Sequence, residues 1–125
     1  MSEEVHKIIH KAEEFYEDAQ YLFKGKRFEA TVNRCYYAMF TCVQALLLSK
    51  NAFSKTHHGV QVKFNELFIK TELLPIEFGK ILNDAFEKRQ FGDYDVDAEI
   101  SDKDAFKLLE NARMFIDKIK AYLVV

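Results

Sequence analysis

Apolar residues recur every three or four positions along nearly the whole chain, the spacing that gathers side chains on one face of an α-helix. Val5, Ile8, Ile9, Ala12, Phe15, Tyr16, Ala19, Leu22 and Phe23 predict a first helix, with Gly25 placed to close it as a left-handed C-cap. Phe28, Val32, Cys35, Tyr36, Met39, Phe40, Val43, Leu46 and Leu47 predict a second long one. After a polar connection from Ser49 to Thr56, Val60, Phe64, Leu67 and Phe68 mark a shorter third helix, closed by Thr71 to Pro75. A fourth opens at Ile76, turns Ile81, Leu82, Ala85 and Phe86 inward and ends near Gly92. Ser101 and Asp104 resemble a capping box with Asp in place of Glu. From there Ala105, Leu108, Leu109, Ala112, Phe115, Ile116, Ile119, Tyr122 and Leu123 carry a fifth helix to the C-terminus. No stretch alternates at period two long enough to make a strand. Short connections favour antiparallel neighbours, so the pattern predicts one all-α domain over residues 1–125, an up-and-down bundle of four to five helices.

The second helix is apolar nearly all round, as befits a central helix enclosed by others. Its narrow polar strip is Asn33, Arg34, Tyr37, Thr41 and Gln44, which must face a cleft, a partner chain or water. Arg34 is the sharpest case: a largely buried guanidinium needs a carboxylate, a carbonyl or a ligand phosphate. An internal ion pair that orients the bundle is the favoured expectation.

Composition narrows the function. Eighteen basic and twenty acidic side chains give a net charge of −2, which excludes a uniformly basic nucleic-acid wrapper. Four glycines leave no phosphate-cradling glycine-rich loop, and there is no nucleophile elbow, zinc-protease helix or repeated Cys/His pair. The most apolar stretch, Tyr36 to Leu48, is too short to span a bilayer, and the N-terminus does not read as a signal peptide. Cys35 and Cys42 fall on one helix about 10 Å apart, beyond disulfide reach, and read as core residues of a reduced, intracellular protein.

Four groups of residues suggest chemistry. His6 and His10 stand one helical turn apart but have no third metal ligand, so a solvated face is expected. Asp93, Asp95, Asp97 and Asp104 imitate a calcium loop, yet Ala98 stands where its sharp turn needs glycine, and no metal is expected. Ser54 to Gly59, with Lys55, His57 and His58, offers either a phosphate site at a helix start or ordinary capping by Thr56. Arg89-Gln90-Phe91-Gly92-Asp93-Tyr94 gives either a polar site at a glycine-permitted turn or an Arg89–Asp93 pair closing the helix.

Taken together, these stretches are more specific than any one of them. Ala30-x-x-Asn33-Arg34-x-Tyr36-Tyr37-Ala38-x-Phe40, Ala45-Leu46-Leu47, Ser54-Lys55-Thr56-His57-x-Gly59-Val60 with Phe64, Arg89-x-x-Gly92-Asp93-Tyr94 and the closing Ala112, Phe115 and Tyr122-Leu123 occur in that order. The combination resembles the HEPN family, named for higher eukaryotes and prokaryotes nucleotide-binding, over nearly the whole chain. The resemblance implies a helical bundle, commonly homodimeric and cytoplasmic, found in bacteria and archaea without a cofactor. It is often encoded beside a small nucleotidyltransferase of the MNT type, a toxin–antitoxin-like pair in which the partner attaches AMP to a tyrosine of the toxin.

Many members are metal-independent ribonucleases in which an arginine is followed by histidine after four to six intervening residues. Here those positions after Arg89 are Tyr94, Asp95 and Val96, and no other arginine has the histidine. The resemblance therefore implies binding of nucleotide or RNA. Arg89 would hold phosphate, Asp93 would orient it or accept a proton, and Tyr94 would stack on a base or receive AMP. Arg34, Asn33 and Tyr37 would line the neighbouring wall, with His57 at its rim. The alternatives are an active ribonuclease toxin with a rearranged site and a non-catalytic adaptor that docks a partner protein.

Overall fold

The computed structural model describes residues 2–125. Its helices are α1 (Glu3–Lys24), α2 (Phe28–Ser49), α3 (His57–Phe64), α4 (Ile76–Tyr94) and α5 (Asp102–Leu123), and a single π-helical turn, Asn65–Ile69, prolongs α3. No strand occurs among the described residues. The chain is all-α, as the periodicity requires.

Side-chain neighbours give the directions. Along α1 and α2, Phe23 meets Phe28 and Phe15 meets Tyr37, so the two run antiparallel. Between α4 and α2, Gly92 borders Glu29 whereas Arg89 and Phe86 meet Tyr37 and Tyr36, again antiparallel. Phe23 faces Phe106 and Glu13 bonds Arg113 and Lys120, which sets α5 against α1 head to tail. Four long helices thus alternate in direction, with α3 laid across one side.

α2 is the axis of the core: Val32, Cys35, Tyr36, Ala38, Met39, Cys42, Val43, Ala45, Leu46 and Leu47 are at most 1% exposed. One end is filled by rings, with Phe115 touching both Phe64 and Phe78 and Phe68 edge-on to Tyr122. Burying one such side chain is worth about 2–3 kcal/mol, so burial far outweighs helix propensity in holding the bundle. Both cysteines are free, and burial pushes the Cys35 thiol up to about 12 and Cys42 higher still.

Side chains cap three helices. Ser2 accepts from Val5 N–H, Thr56 from Gly59 N–H and Ser101 from Asp104 N–H. The close of α1 differs from the sequence expectation. Gly25 keeps φ −83°, and Lys26 takes the left-handed conformation at φ 59°. The helix continues to Lys24, so the reversal falls one residue later, secured by Arg27 N–H donating to Leu22 C=O. Likewise α4 continues past Gly92 to Tyr94. Gly92 is therefore a helical residue and not a turn. With Asp93 also helical, the acidic run is no calcium loop, and no metal-holding cluster forms among the described residues.

A charged cluster ties α1 to α5. Glu13 accepts from Arg113 through both guanidinium nitrogens at 3.0 and 3.1 Å and from Lys120 at 3.0 Å, while Asp117 takes a further bond from Arg113 at 2.7 Å. The Arg113 guanidinium also lies over the Tyr16 ring. The bonds from Arg113, and then Lys120, hold the Glu13 carboxyl below its usual 4.5 although burial opposes them. Stability from this group is complete above that value and lost as pH falls through the lower folded one. Glu13→Gln is expected to cost about 1 kcal/mol at neutral pH in urea unfolding, since the cluster is partly solvated. The variant's curve of stability against pH should be flatter than the wild type's below about pH 4.5.

Candidate functional site

Tyr36 and Tyr37 are consecutive on α2 and so point about 100° apart. Between them they reach both α3 and α4. Tyr36 is fully buried and its hydroxyl shares a hydrogen bond of 2.7 Å with His57 Nδ1, the first residue of α3. Tyr37 accepts a 2.6 Å bond from Arg89 Nη1, five residues before the end of α4. The guanidinium of Arg89 lies 5.1, 5.5 and 5.7 Å from the ring centres of Tyr36, Tyr37 and Phe86. Each cation–π contact is worth about 1–2 kcal/mol where water is excluded.

Arg89 is only 9% exposed, and its Nε is buried without a hydrogen-bond partner. Asp93, one turn along, approaches that nitrogen to 3.7 Å, a charge pair too long for a hydrogen bond. An unpaired buried donor costs about 1–3 kcal/mol, so its position calls for an explanation.

The His57 ring stacks on Phe40 at 4.4 Å and also meets Tyr36 and Tyr37 at 5.8 and 6.0 Å. Burial, and then the positive charge of Arg89, lower its pKa from the ordinary 6.5. The same burial pushes the Tyr36 phenol far above its usual range, so it stays protonated. The start of α3 is capped by its own residues. Thr56 holds Gly59 N–H at 2.9 Å, and a Cβ on Gly59 would collide with Ser54 Oγ, so glycine lets the Ser54 loop close over the helix end. Lys55 and His58 stand exposed.

Arg34 is half-buried and donates to Asn33 Oδ1 at 3.1 Å, with its guanidinium over the Phe15 ring. No carboxylate pairs with it among the described residues, so the expected internal ion pair is not formed. Its half-exposed end keeps enough water to do without one. Phe15 in turn neighbours Tyr37 at 6.1 Å. Tyr37, Thr41 and Gln44 face a groove of about 480 Å³ against Lys7, Lys11 and Phe15 of α1. The larger concavity on α1, α4 and α5, about 930 Å³, is a poorer candidate because its arginine, Arg113, is already saturated by Glu13 and Asp117.

The structure therefore gathers Arg89, Asp93, Tyr37 and His57 into one cluster, with Asn33 and Arg34 flanking it. Tyr94 is 76% exposed on the last turn and makes none of these contacts. His6 bonds the Ser2 carbonyl and His10 lies 3.9 Å from Glu14, both on the solvent face of α1. Sequence reasoning missed Tyr36, Phe40 and Phe86, which periodicity assigns to the core. The signal was the adjacent tyrosine pair, because a buried phenol needs a partner.

A family model for the HEPN domain matches residues 5–122. Among similar proteins, one of Methanocaldococcus jannaschii named "Putative toxin" is 40% identical over 97% of this chain and 82% of its own length. A second protein of that organism with the same designation is 35% identical over 97% of this chain and 90% of its own. A "UPF0332 protein" of Thermotoga maritima is 39% identical over 88% of this chain and 83% of its own.

Because the folded imidazole binds protons less readily than the unfolded one, His57 subtracts stability as pH falls below 6.5. Between about pH 7.5 and 5.5 the melting temperature of wild type should drop more than that of His57→Gln. Equal slopes in a thermal melt series would show that the ring is not desolvated as described.

Proposed function

The chain belongs to the HEPN family, and on that premise we propose that it binds the phosphate of a nucleotide or of RNA at Arg89. The observation that carries this reading is the buried guanidinium whose Nε has no hydrogen-bond partner and whose nearest carboxylate stands at 3.7 Å. Aromatic faces hold the cation without neutralising it, so it keeps its charge for an anion that enters. Arg34 and Lys11 of the adjoining groove add positive charge, and neither has a carboxylate partner among the described residues, whereas Lys7 is paired with Glu3.

In this reading the protein is the toxin-like member of a toxin–antitoxin-like pair in the cytoplasm; the word toxin in the names of its M. jannaschii relatives supports the toxin-like part. Its partner is a small nucleotidyltransferase of the MNT type, and two copies of the chain face each other around the site. The exposure of Tyr94 supports its role as the acceptor of AMP from that partner. Asp93 orients Arg89, and Asn33 and Arg34 form the wall.

A second reading, a ribonuclease with a rearranged site, is favoured by one observation: an imidazole, His57, stands with Arg89 around the same tyrosine pair. General-base catalysis of attack by a ribose 2′-hydroxyl needs such a group.

AMP and a short single-stranded RNA should each raise the melting temperature of the wild-type protein, and Arg89→Ala should weaken binding at least about tenfold. Arg34→Ala, at a half-buried site that tolerates truncation, should weaken it about threefold and keep the fold. If neither ligand shifts the melt, or if folded Arg89→Ala binds as well as wild type, the reading is wrong.

A further inference from the structure

His57 has two nitrogens and the fold engages one. Nδ1 is held by the Tyr36 hydroxyl at 2.7 Å. Nε2 makes no hydrogen bond and is not among the buried unpaired atoms, which are Gln61 Nε2 and Arg89 Nε among the described residues, so it keeps some surface open to solvent. The ring cannot swing freely, because it is stacked on Phe40 and met by both tyrosines. His57 and Arg89 flank the same two phenol rings, and the Arg89 charge is felt at the imidazole. We infer that His57 is a second phosphate-contacting group of the Arg89 site, that it takes up a proton from solvent as the anion binds, and that Tyr36 is the positioning residue that holds it.

The inference rests on the phosphate-binding reading and extends it. In the free protein two features disfavour an imidazolium at position 57: partial burial, and the guanidinium of Arg89, which packs against the same two tyrosines. A phosphate between them reverses the second effect, because the anion screens Arg89 and attracts both cations. No bond is broken. One proton leaves solvent and joins the ring. The imidazolium then donates Nδ1–H to the Tyr36 oxygen and Nε2–H to the phosphate, whereas in the neutral ring the direction of the Tyr36 bond follows the tautomer.

The charged and titratable groups that face His57 are few. From α2 they are Tyr36, which stays a phenol, and Tyr37. From α4 comes Arg89, with Asp93 at 3.7 Å from its Nε. Lys55 and His58 beside it in sequence are exposed, and Arg34 and Lys11 are engaged over Phe15. Asp93 sits closest to Arg89, so no carboxylate takes the place of the incoming anion at Nε2.

Calorimetry on the full chain tests this. Hydroxyl-ended hexauridylate is the main probe, since neither its phosphodiesters nor its bases titrate near neutrality. AMP is the second, its own phosphate titration being removed by subtracting the His57→Gln result. Titration at about pH 7 in two buffers of different ionisation enthalpy should show wild type taking up a substantial fraction of one proton and His57→Gln none. Between about pH 8 and 6 wild-type affinity should rise about tenfold and that of His57→Gln should stay level. Tyr36→Phe keeps the imidazole and its ring contacts but removes the hydroxyl that holds Nδ1, and should bind about threefold more weakly while still taking up a proton. Binding with no proton uptake, or equal uptake in His57→Gln, overturns the inference and leaves Arg89 as the phosphate site. Tyr36→Phe indistinguishable from wild type removes the positioning role. No binding of either probe to wild type overturns both the inference and the reading beneath it.

Discussion

A guanidinium taken out of water needs something to replace its hydration, and at Arg89 the replacement is almost entirely aromatic. Three ring faces and one phenol oxygen surround it, while its carboxylate neighbour stays beyond hydrogen-bonding distance. That arrangement fixes the register of α4 on α2, because residue 89 must fall level with residues 36 and 37. It also fixes where α3 begins, since the remaining functional atom of the Tyr36 side chain must meet His57. Ala85, one turn before Arg89 on the same face of α4, is fully buried.

The other side of the bundle shows the contrast. There Arg113 is met by two carboxylates and by the ring of Tyr16, and Lys120 closes the set on Glu13. Every charge has its complement, which makes that cluster a tie between helices with nothing left to offer a ligand. Around Arg89 the same ingredients are present in different proportion: aromatic surface is plentiful and negative charge scarce. The Arg89 guanidinium is thus electrostatically incomplete within a closely packed set of rings.

Helix number, order and most of the core were legible in the sequence because hydrophobic periodicity is a local signal repeated many times, as in α1, α2 and α5. Boundaries were less so. The shift of the left-handed residue from Gly25 to Lys26 depends on which turn the last helical bonds select, and tertiary packing decides that. The π-helical turn at Asn65–Ile69 follows from packing too, since α4 approaches it at Gly79, where a Cβ would lie 3.1 Å from Asn65 Oδ1. In the site, Arg89 and Asp93 drew attention through the turn motif, His57 through its place at a helix start, and all three through the family resemblance. Tyr36 did not, because a phenol on a buried face reads as core until its hydroxyl is seen to have a partner. Arg34 misled for the opposite reason: helical spacing placed it near the interior but could not say how much water reached its end.

The most direct test is the side-chain N–H resonance of Arg89 Nε, observed by nitrogen-15 NMR and assigned through Arg89→Lys. The account predicts slow exchange with water in the free protein, followed by a clear shift on titration with AMP as the nitrogen gains its missing acceptor. A resonance that exchanges as fast as an exposed arginine, or that stays in place while AMP binds, would contradict it.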